Sequence, residues 1–208
     1  MSGRLIAAAC LAACLLAGPA TADDGVGGGA KEGSKQLAYG LRFMKARDYP
    51  RAIVHLTAAI RTHELSPRHL SDAYYFRGRA LTRNRRPELA LDDFTRAVTY
   101  WPENVKALRV RCRALTLKGE EEKARADCDQ AVLLAPDDWR GWFTRGLLRD
   151  SRNERDLALS DFSNAKDRMP KGLETFPDVA RQLRAYGLLD GASDAAPDTD
   201  PLPSWQEE

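Results

Sequence analysis

Proline recurs along this chain at a fixed interval, since Pro102, Pro136 and Pro170 are evenly spaced with a period of roughly 34 residues. Other positions keep the same interval: a small residue stands 24 positions before each proline, an alanine 12 before, a phenylalanine or cysteine eight before and an alanine five before. A period of this length predicts a stacked repeat fold, in which each unit packs mainly on its neighbours. Stacked repeats provide binding surfaces more often than active sites.

Each unit is predicted to be a hairpin of two antiparallel helices, which gives an all-α fold. Small residues such as Gly78 and Ala90 allow the helices to approach closely, and Phe94 fills the groove one turn further along. Proline cannot continue the second helix, so it marks the turn into the next unit. We expect helices near 35–46, 50–62, 69–84, 87–100, 104–118, 120–134, 138–151 and 154–168.

This pattern resembles the tetratricopeptide repeat (TPR). The resemblance covers roughly residues 33–170, with repeats near 33–66, 71–104, 105–138 and 139–172, and we assign 37–170 to the repeat domain. The first copy is weak, because Glu64 stands where the proline is expected and about four extra residues precede Ser71. The third copy has cysteine at two packing positions. Two repeats match the residue types that the family carries at its recurring positions most fully. They contain Tyr74, Gly78, Ala90, Phe94, Ala97 and Pro102, and Trp142, Gly146, Ala158, Phe162, Ala165 and Pro170.

The resemblance implies a TPR solenoid of about four helix-turn-helix repeats plus a C-terminal capping helix. It also implies a concave groove, lined by the first helix of each hairpin, that takes a protein or peptide. The middle of the groove would be basic and flanked by aromatic residues, which suits an acidic peptide or a carboxylate. The predicted groove residues are Tyr75, Arg79, Lys106, Arg109, Arg113, Arg140 and Phe143.

The clamp that chaperone-binding members of the family use for a terminal carboxylate is not supported. The positions at which those members carry Lys and Asn are mostly apolar in this chain, and only one of them has a residue of the required type. That residue is Lys106, and the others are Leu37, Leu41, Phe76 and Val110.

An arginine and an aspartate recur in each of the three strong repeats, always at the same separation from each other. An antiparallel hairpin with this spacing can bring both side chains to one side of the helix pair. We interpret them as structural ion pairs, the alternative being contacts with a ligand. The pairs are Arg77 with Asp93, Arg111 with Asp127, and Arg145 with Asp161.

The N-terminus is typical of an exported protein. Residues 1–22 combine Arg4, a short apolar stretch and an A-x-A motif ending at Ala22, which predicts a signal peptide cleaved after Ala22. The stretch is shorter than the roughly 20 apolar residues of a membrane-spanning helix. One alternative is a lipoprotein lipidated at Cys14, and an uncleaved anchor is another. We therefore expect a periplasmic or secreted protein, with membrane contact only if Cys14 is lipidated.

Two cysteines remain after this cleavage, Cys112 and Cys128. They lie at repeat positions where the two helices of one hairpin face each other. An even pair in an exported chain favours a disulfide. The alternative is two reduced thiols packed as small apolar groups.

Charge is unevenly distributed. Residues 37–170 contain 26 Lys and Arg against 19 Asp and Glu, whereas residues 171–208 contain three against eight. Export argues against nucleic acid as the partner of the basic repeats, and a solvated basic surface is the simplest alternative. We expect a Gly-rich linker over 23–36, a capping helix over 173–190 and a disordered acidic tail over 191–208, to which the aromatic Trp205 is an exception.

Nothing in the sequence predicts catalysis. Its three histidines lack metal-ligand spacing, and no nucleophile elbow, P-loop or dinucleotide fingerprint is present. We expect no enzyme activity, cofactor or metal. The leading hypothesis is a protein- or peptide-binding adaptor of the bacterial cell envelope. The alternative is a structural subunit of an envelope complex, held by its convex face or by the Trp205 tail.

Overall fold

The computed structural model describes residues 31–170 and 177–189, and within those ranges it contains nine α-helices and no strand. This confirms the all-α prediction, and the first eight helices agree closely with the predicted bounds. The helices are α1 Glu32–Lys45, α2 Tyr49–Arg61, α3 Pro67–Arg83, α4 Pro87–Tyr100, α5 Val105–Lys118, α6 Glu121–Leu134, α7 Trp139–Ser151, α8 Arg155–Arg168 and α9 Pro177–Ala185.

The turn inside each hairpin contains one residue with left-handed backbone geometry. Arg85, Gly119 and Asn153 have φ angles of 58°, 78° and 59° and occupy the same column of successive repeats. Arg47, with φ 57°, does the same in the first hairpin. The backbone of the turn therefore repeats even where its residue type does not, and only Gly119 adopts it without steric cost.

Each hairpin with a glycine in its first helix is closed by a contact at that glycine. An added Cβ on Gly78 would lie 2.6 Å from the Phe94 ring, and one on Gly146 would lie 2.6 Å from Phe162. Gly40 faces Leu56 in the same way in the first hairpin. The glycines thus let the two helices approach until the large side chain of the second helix rests on the backbone of the first.

Successive hairpins stack mainly through the second helix of one hairpin and the first helix of the next: α2 on α3, α4 on α5 and α6 on α7. The first helices α1 and α3, and α5 and α7, also contact each other. We call the side lined by the first helices the concave side of the solenoid. Buried Asn104 strengthens one junction: its Oδ1 caps α5 by accepting from the Ala107 N–H at 3.1 Å, and its Nδ2 donates to Ser71 Oγ at 2.9 Å. Ser71 in turn donates to the Ala97 carbonyl at 2.7 Å.

Two predicted boundaries need correction. Helix α1 begins at Glu32, so residues 32–36 of the predicted linker are helical; buried Gly33 packs against Thr62 and donates its N–H to Glu64 Oε2 at 2.8 Å. The helix after the fourth hairpin, α9 (Pro177–Ala185), ends before the predicted residue 190 and buries Val179 and Leu183 against α7 and α8; residues 173–176 of the prediction lie outside the described ranges. The predicted signal peptide and the predicted tail lie outside the described residues.

Within the described ranges, every helix is too short or too polar to cross a membrane.

Candidate functional site

The structure brings the predicted arginine and aspartate pairs together in all three strong repeats. In each pair the arginine Nε and Nη2 donate to the two carboxylate oxygens, at distances between 2.6 and 2.9 Å. Each pair joins the first helix of a hairpin to the second, and the aspartate is buried. A two-point bond of this kind fixes the register of the two helices. The weak first hairpin instead packs the Tyr39 ring near His55, with ring centroids 5.5 Å apart.

Cys112 and Cys128 are joined by a disulfide in the structure, with their Cα atoms 5.5 Å apart. Both are buried, and the bond lies beside the Arg111–Asp127 pair. It links α5 to α6 within one hairpin and does not reach the groove.

The concave side carries a buried cation, Arg109 of α5, whose side chain is 3% exposed. Its Nη1 donates to Asp138 Oδ2 at 2.9 Å, and Asp138 also caps α7. Burial lowers the pKa of the Arg109 guanidinium, and the neighbouring cations Arg140 and Arg79 act in the same direction. Asp138 and Tyr75 offset only part of this effect, so an additional anion near Arg109 would stabilise its charge.

Arg79 of α3 is the second buried cation of the groove. Its Nη1 donates to the Tyr75 hydroxyl at 3.3 Å, and its Nε has no hydrogen-bond partner among the described residues. The two aromatic residues predicted to flank the groove are core residues, because Tyr75 is 1% and Phe143 2% exposed. Their rings therefore support the groove wall and do not present a face to a ligand.

Arg113 of α5 lies at the edge of a cavity of ≈ 640 Å³ between α4 and α5. Its Nε is buried and has no hydrogen-bond partner among the described residues. Burial lowers the pKa of its guanidinium, and Asp178 of α9 partly opposes the shift. The negative charge of Asp178 thus offsets only part of the cost of burying the Arg113 charge.

The remaining predicted groove residues are accessible. Lys106 is exposed, and Arg140 is half-buried with its Nη1 3.6 Å from Asp138 Oδ1. The concave side thus has two more accessible cations, Lys106 and Arg140, a partly buried one, Arg113, and two buried ones, Arg79 and Arg109. Buried charge beneath a recessed surface strengthens the potential that an anionic ligand meets there. We call these five residues the arginine groove: Arg79, Lys106, Arg109, Arg113 and Arg140.

Sequence reasoning missed two carboxylates of this site, Asp138 and Asp178, whereas Asp72, which acts electrostatically on Lys106, lies at a groove position that the repeat predicts. Asp138 lies one repeat period after Asn104, and both cap the first helix of their repeat, so the cap column could have located it. Asp178 lies in α9, outside the repeats, so the repeat interval does not predict that it lies near Arg113.

The described residues contain no group of three or more His, Cys, Asp or Glu side chains that could hold a metal ion.

Comparison with known proteins agrees with this geometry. A family model described as tetratricopeptide repeat matches residues 37–99 and again 75–138. A curated relative, the heat-shock protein cognate co-chaperone sgt12 of Aspergillus fumigatus, is 29% identical over 104 residues, which are 50% of this chain and 28% of that protein. The chain therefore spans less than a third of that relative's length.

Solved structures share the fold at low identity. MamA from Desulfovibrio magneticus RS-1 superposes with a TM-score of 0.61 at 16% identity, covering 76% of this chain and 87% of that one. The first TPR domain of Spaghetti, bound to the HSP90 peptide SRMEEVD, gives a TM-score of 0.51 at 20% identity, covering 59% and 93%. Proteins of this fold bind peptides or proteins and are generally non-catalytic. The repeat region of this chain belongs to the tetratricopeptide repeat family.

Proposed function

We propose that this protein is a non-catalytic adaptor whose arginine groove binds an acidic or carboxylate-bearing segment of a partner protein. The observation that carries the proposal is the partly compensated charge of the groove. Five cations lie along α3, α5 and α7, while Asp138 is the carboxylate bonded to the central one. An incoming carboxylate would accept charge-assisted hydrogen bonds from the accessible cations and reduce the cost of the buried ones.

The same proposal places the protein in the bacterial cell envelope. The predicted signal peptide supports this location, and so does the Cys112–Cys128 disulfide, because disulfides persist mainly in oxidising compartments. Alkylation of acid-quenched cells after denaturation tests it, because both sulfurs are buried in the folded protein. We expect both cysteines to resist alkylation in the denatured chain until a reductant is added. Rapid alkylation without reductant would place the protein in a reducing compartment.

Peptide binding is tested with an array of short peptides of graded net charge, including SRMEEVD. We expect retention to increase with the number of carboxylates and to decrease with salt. The double variant Lys106→Glu with Arg140→Glu reverses two accessible groove charges and should weaken binding of acidic peptides at least tenfold.

The matched control is Lys123→Glu with Arg125→Glu, which reverses two exposed charges on α6, a second helix outside the groove. It changes the net charge equally and should alter binding less than twofold. If both double variants lost the same amount of peptide affinity, the loss would be explained by the net charge of the protein and not by the groove. An array on which acidic and basic peptides bind equally would refute the proposal.

A structural-subunit role is the second candidate, favoured by exposed leucines on the second helices. Leu133 of α6 is 72% exposed, and Leu89 and Leu157 occupy the same column two repeats apart with 52% and 50% exposure. If Leu89→Ser with Leu157→Ser abolishes assembly while the groove variant does not, this second role is the correct one.

A further inference from the structure

The cavity at Arg113 is mainly apolar, and we call it the Arg113 pocket. It lies between the beginning of α4 and the end of α5, with Leu91, Phe94 and Leu117 in its walls. Arg113 and Lys118 provide positive charge, while Glu88 and Asp92 are acidic residues of the α4 side. Its volume of ≈ 640 Å³ is within the usual range of ligand pockets, about 300–1,000 Å³.

The charges of this pocket are not equivalent. Lys118 is already paired with Glu120, its Nζ lying 2.6 Å from Glu120 Oε1. Arg113 has a buried Nε without a partner among the described residues, and Asp178 is the carboxylate that acts on it electrostatically. The pocket therefore suits a ligand with one large apolar group and a carboxylate close beside it, the carboxylate being placed at Arg113.

The chain itself contains such a segment. Residues 190–208 include six Asp and Glu and no Lys or Arg, and their one aromatic residue is Trp205, followed by Glu207 and Glu208. The segment is thus opposite in charge to the arginine groove, and it carries an indole next to carboxylates.

The segment is also long enough. Helix α9 places Asp178 near Arg113, and the whole of this short helix is roughly 14 Å long. The chain from Leu189 to Trp205 can span up to about 50 Å when extended. The pocket therefore lies well within reach of the segment that follows α9.

We propose that residues 200–208 dock on the repeats of their own chain, with the Trp205 indole in the Arg113 pocket and the following carboxylates at Arg113. The inference deepens the proposed function, since the segment would be an internal ligand of the same groove. A tether of this length gives an effective concentration of the order of 1 mM, so the segment competes with weak external peptides.

Photocrosslinking tests the contact without any external ligand. A benzophenone amino acid replaces Trp205 in the full chain, which is irradiated at low concentration and mapped by mass spectrometry. We expect intramolecular crosslinks to α4 and α5. Glu207→Gln with Glu208→Gln should lower their yield at least fivefold, and these changes lie outside the folded repeats. Crosslinks confined to α6 and α8, or a yield that the two Gln substitutions leave unchanged, would overturn the proposal.

A binding measurement separates this proposal from the proposed function. Neutralising the six carboxylates of residues 190–208 should strengthen binding of an acidic array peptide about tenfold. If acidic peptides bind both proteins equally and no crosslink to α4 or α5 forms, the groove function stands and the internal ligand is refuted. If the crosslink forms but acidic peptides bind neither protein, the internal ligand stands and the groove has no external acidic partner.

Discussion

Cys112 and Cys128 form a disulfide at the two positions where the neighbouring hairpins place a glycine against a phenylalanine. The pair Gly78–Phe94 lies one repeat period before it, and the pair Gly146–Phe162 lies one period after it. The third hairpin therefore closes its two helices with a covalent bond where the others use close packing.

This equivalence predicts the effect of removing the disulfide. Cys112→Ala with Cys128→Ala should lower the free energy of unfolding by about 3 kcal/mol, because the bond closes a short loop in the unfolded chain. Cys112→Gly with Cys128→Phe should lose clearly less, since it restores the packing of the neighbouring hairpins. Urea denaturation measures both, and dithiothreitol should destabilise the natural chain alone. Equal losses in the two double variants would contradict the equivalence.

A second prediction compares two glycines of α7. Gly146→Ala places a Cβ 2.6 Å from Phe162 Cε1 and should destabilise the protein by about 1–3 kcal/mol through overpacking. Gly141→Ala is the control, because its Cβ would lie 3.5 Å from Val132, an ordinary contact. That change should be neutral or stabilising by up to about 1 kcal/mol, the usual gain of alanine over glycine in a helix.

Thermal unfolding followed by circular dichroism measures both. Adding Phe162→Leu should recover part of the Gly146→Ala loss, and additive effects would show that the two residues do not share one contact.

Most of the fold can be predicted from the sequence because its units repeat. One period locates the hairpins, the glycine contacts, the arginine–aspartate pairs and the turns, since equivalent residues have equivalent neighbours. Where the period ends, prediction is less successful. The glycine content of residues 23–36 predicts a linker, yet Gly33 is buried in α1 beneath Thr62. Glycine content alone does not distinguish a flexible segment from a closely packed helix.

The candidate site is less predictable, for a different reason. The columns of the concave side follow from the repeat, but the exposure of each side chain does not. Tyr75 and Phe143 occupy groove positions and are nevertheless buried. Tyr75 belongs to a core cluster that includes Leu108 of α5, and Phe143 belongs to one that includes residues of α8 and α9. The negative charges near Arg109 and Arg113 come from Asp138, which caps α7, and from Asp178 of α9. The sequence pattern does not place these carboxylates in the groove, so its net charge could be read only from the structure.

The third prediction concerns Asp161, which is 1% exposed and accepts from Arg145, with Arg149 Nη1 2.8 Å from its Oδ2. Asp161→Asn leaves two arginines without their buried counter-ion and should cost about 3–5 kcal/mol. Asp129→Asn is matched, because Asp129 also accepts from Arg145, at 3.0 Å, but is 48% exposed. It should cost less than about 1 kcal/mol, and only its effect should decrease at high salt. If the two variants lost similar free energies of unfolding, the contribution of the Arg145–Asp161 pair to stability would not depend on its burial. Urea denaturation of both variants provides the comparison.

The last prediction uses the contact between α9 and α7. The Tyr186 hydroxyl donates to Asp150, and Gln182 donates to the other Asp150 oxygen at 2.9 Å. Burial, reinforced by the Asp150 carboxylate, raises the pKa of Tyr186 from 10.0 to about 12. Because the folded pKa lies above the unfolded one, the stabilisation is complete below about pH 10 and is lost as the pH rises through about 12.

Tyrosine absorbance should therefore show one group that titrates near pH 12 in the natural chain and is missing from Tyr186→Phe. The stability difference between the two proteins should be constant up to about pH 10 and should shrink above it. The control is Tyr39→Phe, which removes an exposed tyrosine and should leave the late titration unchanged. A titration curve without a late group would show that α9 does not hold its contact with Asp150 in solution.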